Sequence, residues 1–237
     1  MESYWMRQAE LVPEKIREMC VLVAGVGAIG RQVALQLATM GVGKLVLVDP
    51  ETVEDVNVGL QGYAPCDVGE YKVSVLGREL CSRVPEVRGL EERVDKGFTH
   101  LGGVDVVMSC VDSMKGRKQV WAWSKEGAGA EKVELVVDGR MSGEVVRIVT
   151  ANPKSGFLVR GGPEYMSTLV SDAEAYQERC TAKGTIYTAN IAAGFMLGQV
   201  TKWMREFTVK GDFTVNILGG VISEGQAEVD NQKDGVA

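Results

Sequence analysis

Two patterns of hydrophobic and polar positions alternate along the first two thirds of the chain. Short apolar runs rich in β-branched residues predict buried strands at residues 21–24, 44–48, 104–110 and 135–137, with a weaker one at 87–94. Segments with apolar residues at helical spacing follow the first strand up to about residue 40, and recur over 72–80 and 115–125. Strands that alternate with helices predict an α/β fold with a mostly parallel, Rossmann-like sheet flanked by helices.

The two ends of the chain depart from this alternation. Residues 1–19 have the spacing of an amphipathic N-terminal helix. From residue 144, short β runs separated by Gly and Pro predict an antiparallel extension of the sheet in the C-terminal third. Those runs lie at 144–150, 157–160 and 213–218. Between the last two, a mobile loop over 161–184 is expected to lead into an apolar helix over 185–205.

This organisation predicts a single domain over residues 1–223. Its parts are the N-terminal helix (1–19), a nucleotide-binding half (20–143) and the antiparallel extension (144–223). The remaining residues, 224–237, are charged and lack apolar periodicity, which is typical of a flexible tail.

A glycine-rich turn lies between the first predicted strand and the first helix. Gly25, Gly27 and Gly30 form the pattern Gly-x-Gly-x-x-Gly, and Asp49 ends the second strand about twenty residues later. In such a turn the first glycine allows the bend, the second lets the backbone approach a phosphate, and the third lets the helix pack close to the sheet. The helix N-terminus offers free N–H groups to an anion, and the acid can accept hydrogen bonds from ribose hydroxyls. The sequence therefore predicts a nucleotide site here.

Composition and charge exclude several function classes. Apolar residues make up 45% of the 237 residues and charged residues 24%, as in ordinary globular domains. The net charge of −6 argues against nucleic acid and anionic membranes as partners. The amino end lacks an apolar segment of signal-peptide length, and five cysteines without a C-x-x-C pair suit a reduced cytoplasm, which is the expected location.

The residues that follow Asp49 bear on which nucleotide binds. The polar stretch over 50–72 is longer than an ordinary connection, which is typical of a functional loop, and it ends at Lys72. Three predicted strands end in an acid, since Asp112 and Asp138 join Asp49 at the edge where parallel sheets bind ligands. A dehydrogenase would also need a proton-transfer group and a substrate domain, and neither is evident. A lysine near a phosphate cradle and a carboxylate able to hold a divalent metal favour chemistry on ATP.

Several segments form an ordered set of motifs. They are Tyr4-Trp5-Met6-Arg7-Gln8, then Asp49-Pro50-Glu51-Thr52-Val53-Glu54, then Asn57, Gln61, Val68-Gly69 and Lys72, and finally Ser109-Cys110-Val111-Asp112 with Arg117. Together they resemble the signature of the ubiquitin-activating superfamily, the ThiF/MoeB/HesA-type adenylyltransferases. The resemblance covers about residues 4–150.

The resemblance implies an activity and a set of roles. ATP would be attacked by the C-terminal glycine carboxylate of a ubiquitin-like or sulfur-carrier protein ending in Gly-Gly, which gives an acyl adenylate and pyrophosphate. Asp49 would hold the ribose, Lys72 would contact the phosphates and Asp112 would position Mg²⁺. Arg7 would reach into the site of a partner subunit, so a homodimer is expected. The remaining ATP-binding residues would be Gly25, Gly27, Gly30, Glu51, Asn57 and Gln61.

A second motif bears on the fate of the adenylate. Cys180-Thr181-Ala182-Lys183 resembles the motif of family members that pass the activated protein to a cysteine as a thioester. A loop cysteine with no catalytic role is the alternative. Sulfur transfer, conjugation and amide chemistry all stay open.

The chain departs from the family pattern at two places. Leu60 stands where the family has an arginine, and that cation helps to neutralise the triphosphate. Arg140 and Arg31 are the candidates to replace it, and Arg140 is preferred because it follows a predicted strand end. The family's paired zinc cysteines are missing, so no zinc is expected.

Simpler interpretations also stay open. Asp112 could cap the following helix, and Lys72 alone could be a solvated residue of a first helical turn. The whole chain could be a non-catalytic partner that binds a ubiquitin-like protein or lends Arg7 to another subunit. An NAD-dependent oxidoreductase is the third possibility.

Overall fold

The apolar runs form the centre of one mixed sheet in the computed structural model, which describes residues 5–99, 102–169 and 184–224. Its strands are β1 (Cys20–Ala24), β2 (Lys44–Val48), β3 (Glu86–Leu90), β4 (Val106–Ser109), β5 (Leu135–Ser142), β6 (Val145–Ala151), β7 (Asp212–Asn216) and β8 (Val221–Glu224). Their order is β3-β2-β1-β4-β5-β6-β7-β8. The first five strands in this order, from β3 to β5, pair in parallel. Strands β6, β7 and β8 then extend the sheet with antiparallel pairing. The predicted fold class is confirmed.

Helices cover both faces of the sheet. They are α1 (Ala28–Met40), α2 (Asp55–Gln61), α3 (Lys72–Leu80), α4 (Met114–Glu126) and α5 (Ile186–Met204). Residues of α1, α3 and α5 share one apolar core with the sheet, and residues of α4 share a second core on the other face. Because β1 and β4 are buried on both faces, their sequences are apolar except for Ser109 and do not alternate. None of the described helices is long and apolar enough to cross a membrane.

Close backbone contacts position the glycine turn between β1 and α1. A Cβ at Gly30 would overlap the carbonyl oxygen of Gly25, so only glycine lets α1 approach the turn this closely. Gly25 has a φ of +83°, and a Cβ there would stand 2.9 Å from the carbonyl oxygen of Cys110. The turn is therefore held between the start of α1 and the segment that follows β4.

The amino end and the region after β6 differ from their predictions. The predicted helix over 1–19 is wrong, because residues 5–19 contain two short 3-10 helices, Met6–Gln8 and Glu14–Arg17, with Pro13 before the second. The predicted strand over 157–160 is also wrong. The chain enters a 3-10 turn at Val159–Gly161, where Arg160 has a φ of +65° that a strand cannot accommodate.

Other element boundaries differ in informative ways. The stretch over 50–72 contains α2 rather than only loop, and β8 was not predicted. Strand β5 does not end before Asp138 but continues to Ser142, because β6 pairs with it along its whole second half. The predicted loop falls largely on residues 170–183, and the predicted tail on 225–237, both outside the described residues. The division of the chain into domain and tail stays a prediction.

The glycine contact can be tested with one substitution. Gly30→Ala should destabilise the protein by about 3 kcal/mol or more, since the opposing atom is backbone and cannot rotate away. Chemical denaturation measures this loss. Gly77→Ala in α3 is the control: its Cβ would meet nothing within 4 Å, so it should stabilise by about 0.5–1 kcal/mol. Equal effects of the two changes would contradict the proposed packing role of Gly30.

Candidate nucleotide-binding site

Asp49 joins the glycine turn to the loop that follows β2. Its Oδ2 accepts a hydrogen bond from the backbone N–H of Val26 at 2.8 Å, and its Oδ1 accepts one from Glu51 at 2.9 Å. Burial raises the pKa of this carboxyl above its usual value, against the opposing effect of both N–H donors and the charge of Lys72. A carboxylate has about four acceptor positions, so capacity for ribose hydroxyls is left.

The C-terminal end of α2 covers the glycine turn. Gln61 lies over Gly27, where a Cβ would stand 3.7 Å from its Nε2, and its Oε1 is buried with no hydrogen-bond partner among the described residues. The Tyr63 hydroxyl donates to the carbonyl of Val26 at 2.8 Å. Asn57 has a different position: its Oδ1 accepts from Glu54 N–H and caps α2. Gln61 is thus placed at the turn, whereas Asn57 shapes the helix that carries it.

Lys72 begins α3 and is held against Glu51. Its Nζ donates to Glu51 Oε2 at 2.7 Å, and its backbone N–H donates to the Glu51 carbonyl at 3.0 Å. The Lys72 side chain is 3% exposed, whereas that of Glu51 is 56% exposed. The interpretation of Lys72 as a solvated surface residue is therefore wrong. A buried ammonium beside Asp49 is a charge that a phosphate can use.

Asp112 is the third residue after β4 and is exposed. The residue that caps α4 is its neighbour Ser113, whose hydroxyl accepts from Gly116 N–H at 3.1 Å. The helix-capping interpretation of Asp112 is therefore wrong. Within the described residues its carboxylate makes no hydrogen bond or ion pair. Gly25 of the glycine turn packs against the backbone of Cys110, and Asp112 is two residues further along the chain.

A magnesium ion would fit this arrangement. Among residues 5–99, 102–169 and 184–224, no group of three His, Cys, Asp or Glu side chains could hold a metal by itself. Mg²⁺ in nucleotide sites is commonly held by one or two carboxylates together with the phosphates. The unpartnered carboxylate of Asp112 meets that requirement.

Two predicted site residues are not brought to the glycine turn by the described part of the chain: Arg7 lies apart from it, and Cys180 is not described. Arg7 is exposed in the first 3-10 helix, and the neighbouring Gln8 donates to the Thr39 carbonyl at 2.8 Å, at the C-terminal end of α1. At 1.5 Å per residue, that end lies about 18 Å from the turn, so Arg7 cannot reach the site of its own chain. Cys180 lies outside the described residues. Among the described cysteines, burial raises the pKa of Cys20 to about 11 and raises that of Cys110 further, so neither is an activated thiol.

A buried charge network, missed by the sequence analysis, lies beyond β4. Asp138 is fully buried in β5 and is paired with Arg117 of α4 and with Arg140 two residues along the strand. The Tyr165 hydroxyl also donates to Asp138, at 2.9 Å. Burial alone would raise the pKa of Asp138, but the two guanidinium groups outweigh it and hold the pKa below its usual value. The hint in the sequence is a charged pair inside an apolar run.

The network occupies the guanidinium of Arg140. Its Nε and Nη2 bind Asp138 at 2.9 and 2.8 Å, and its Nη1 and Nη2 donate to the carbonyl and hydroxyl of Thr168 at 2.7 and 2.9 Å. Arg140 follows the parallel part of β5, as expected, but nearly all of its donors already have protein partners. The geometry therefore gives no support to a phosphate contact by Arg140.

Comparison with known proteins identifies the family. A sequence model of the ThiF family matches residues 6–220, which is most of the chain. The chain belongs to the ThiF family. The resemblance seen in the motifs is confirmed.

ThiF-family relatives are similar over most of this chain. It is 28% identical over 209 residues to ubiquitin-like modifier-activating enzyme 5 of Bombyx mori, which covers 82% of this chain and 53% of the relative. The Caenorhabditis elegans protein of the same name is 27% identical, with 82% and 49% covered. The chain thus spans about half the length of these curated relatives.

Solved structures share the fold. PaaA has a TM-score of 0.69 at 18% identity, with 90% of this chain and 65% of PaaA covered. E. coli MccB, in a structure with ATP, has a TM-score of 0.65 at 17% identity, with 93% and 68% covered. At this level of identity the likeness concerns the fold.

Substitution of Asp138 should destabilise the protein strongly, and the effect should depend on pH. Asp138→Asn leaves two buried guanidinium groups without their counter-charge, so we expect a loss of about 3–5 kcal/mol in chemical denaturation at pH 7. Because the folded pKa is lowered, the contribution of Asp138 is present above its unfolded pKa of about 3.9 and is lost as pH falls below that value.

The difference in free energy of unfolding between wild type and Asp138→Asn should therefore become smaller below about pH 4. The control is Asp212→Asn, which breaks the partly exposed Arg147–Asp212 pair at 2.6 Å in the same sheet and should cost about 1 kcal/mol. If the loss of unfolding free energy in Asp138→Asn became larger as pH falls, the lowered pKa of the Asp138 carboxyl would be contradicted.

Proposed function

We propose that this chain uses ATP to adenylate the C-terminal carboxylate of a ubiquitin-like protein or a peptide. The observation that carries the proposal is the buried ammonium of Lys72 beside Asp49, whose carboxylate accepts a hydrogen bond from the glycine turn. The unpartnered carboxylate of Asp112, three residues after β4, adds support. Family membership and the named relatives add support. One relative is named for activating a ubiquitin-like modifier, and E. coli MccB is described with ATP and with MccA.

Each residue has a role in binding ATP. The N-terminal N–H groups of α1 face the phosphates across the glycine turn, and Asp49 binds the ribose with its remaining acceptor positions. Lys72 contacts the phosphates once its charge is shared with or released from Glu51, whose exposed carboxylate is readily solvated. Asp112 would hold Mg²⁺, which would neutralise part of the phosphate charge.

The reaction joins two groups of like charge. An oxygen of the acceptor carboxylate forms a bond to the α-phosphorus of ATP, the bond to the bridging oxygen breaks, and pyrophosphate leaves. Carboxylate and phosphate repel until a positive charge lies between them, so Lys72 lowers the barrier by charge neutralisation. Positioning of both reactants at the sheet edge supplies the rest.

The active form we propose is a homodimer. Arg7 is too far from the glycine turn of its own chain, so its role in catalysis requires a second copy that presents the same 3-10 helix. The exposed position of Arg7 supports this proposal.

Calorimetry distinguishes ATP from NAD. We expect Mg²⁺–ATP to bind with micromolar affinity and NAD not to bind, because the site offers a lysine and a metal-binding carboxylate next to the phosphate cradle. Lys72→Ala should weaken ATP binding by about tenfold or more, since it removes a charge-assisted contact. Lys132→Ala, at an exposed site outside this region, is the control and should bind as wild type. Tight NAD binding without ATP binding would refute the proposal.

Cys180 is proposed to accept the activated protein: its thiolate would attack the acyl carbonyl carbon of the adenylate, the bond from that carbon to the phosphate oxygen would break, AMP would leave, and a thioester would form. Incubation with Mg²⁺–ATP and candidate proteins that end in Gly-Gly should give a conjugate that thiols cleave, and Cys180→Ala should abolish it while adenylate formation continues. Cys66→Ala and Cys81→Ala, at the exposed cysteines of the described region, are the controls. A conjugate that persists in Cys180→Ala would assign the thioester to another residue.

A further inference from the structure

We propose that Arg31 supplies the phosphate-neutralising charge that Leu60 removes from the family motif. The inference rests on the proposed function, because it names a further residue for the same ATP site. A polyphosphate needs more cations than one lysine provides, and each donor aimed at developing charge contributes strongly to the rate. The question is which arginine near the glycine turn has donors to spare.

Arg117 and Arg140 are both committed to Asp138. Arg140 makes hydrogen bonds through all three of its nitrogens to Asp138 and Thr168. Arg117 Nη1 binds both the carboxylate of Asp138 and the carbonyl of Gly139, 3.2 Å away. Removal of either guanidinium would leave a fully buried carboxylate with half of its counter-charge.

Arg31 lies beside the place of the missing arginine. It is the fourth residue of α1, and its backbone N–H donates to the carbonyl of Gly27 at 3.0 Å. Its guanidinium stands 5.0 Å from the ring of Tyr63, and its Nη1 lies 3.4 Å from where a Cβ on Gly62 would be. The charge is thus next to the end of α2, two residues beyond Leu60.

The same contacts connect Arg31 to the phosphate cradle. The ring on which it stacks belongs to Tyr63, whose hydroxyl donates to Val26 inside the glycine turn. The side chain of Gln61 lies over Gly27 in the same turn. Arg31 therefore shares its surroundings with residues that touch the cradle, although it comes from a different part of the sequence.

Arg31 also has unused hydrogen-bonding capacity. Its Nε is buried and has no partner among the described residues, and its Nη2 donates to Glu79 Oε2 at 2.7 Å. The side chain of Arg31 is 11% exposed and that of Glu79 is 36% exposed. An ion pair with such an exposed carboxylate contributes little and yields readily to a polyanion. The guanidinium is therefore preformed near the cradle and available to a triphosphate.

Binding of ATP and adenosine separates this role from a structural one. Arg31→Met should weaken Mg²⁺–ATP binding by about 10- to 100-fold in calorimetry, as expected for a hydrogen bond to a charged group, and leave adenosine binding unchanged. Arg31→Lys should retain part of the affinity. Glu79→Gln, which frees the guanidinium, should tighten ATP binding. Arg78→Met is the control. Arg78 lies in α3, beside Glu79, and forms a similar surface ion pair with Glu70 at 2.6 Å.

A second substitution tests the replacement directly. Leu60→Arg restores the arginine of the family motif, so the double variant Arg31→Met/Leu60→Arg should recover at least tenfold in ATP affinity over Arg31→Met. If Arg31→Met binds ATP like Arg78→Met, or loses adenosine and ATP equally, or is not rescued by Leu60→Arg, the inference is overturned while the proposed function stands. If the wild type binds no ATP, the proposed function fails and the inference fails with it.

Discussion

The contact between α1 and the glycine turn is the constraint on which the other features depend. Gly30 brings the helix against the Gly25 carbonyl, and Gly25 in turn packs against the backbone after β4. One helix thereby fixes the direction of its own N–H groups and the position of Arg31 on its first turn. Its other end anchors the amino-terminal segment through Gln8. The helix α1 thus connects the candidate nucleotide site at its N-terminal end with the segment of the proposed subunit contact at its C-terminal end.

Prediction of the fold succeeded where burial determined the pattern. Strand β2 was predicted with its observed ends because it is apolar and enclosed by two other strands. Prediction of the fold failed where the structure of a segment depends on a partner residue distant in sequence. Asp138 and Arg140 were interpreted as the end of a strand, since isolated charges disfavour a sheet interior, but each charge finds its counter-charge there. The strand over 157–160 failed because Arg160 takes a left-handed conformation that composition does not reveal.

The site was predictable in part. Spacing along the chain placed Asp49 and Asp112 after strands that end at the same edge of the sheet, because neighbouring parallel strands end on the same side. Lys72 is held near that edge by its hydrogen bond to Glu51. Tyr63 was missed, since its hydrogen bond to Val26 spans 37 residues and leaves no periodic signal. The preference for Arg140 over Arg31 stays a prediction, and it was made without the side-chain partners, which sequence position alone does not specify.

The overhang of β5 explains why an arginine lies inside an otherwise apolar layer. Strand β4 ends at Ser109, opposite Asp138, whereas β5 continues for four more residues beside β6 alone. Beyond Asp138, the peptide groups of β5 that face away from β6 have no neighbouring strand with which to form hydrogen bonds. A buried carbonyl without a hydrogen bond costs free energy. Arg117 donates to the Gly139 carbonyl at this step. A side chain of α4 thus takes one hydrogen-bonding position that a longer β4 would have filled.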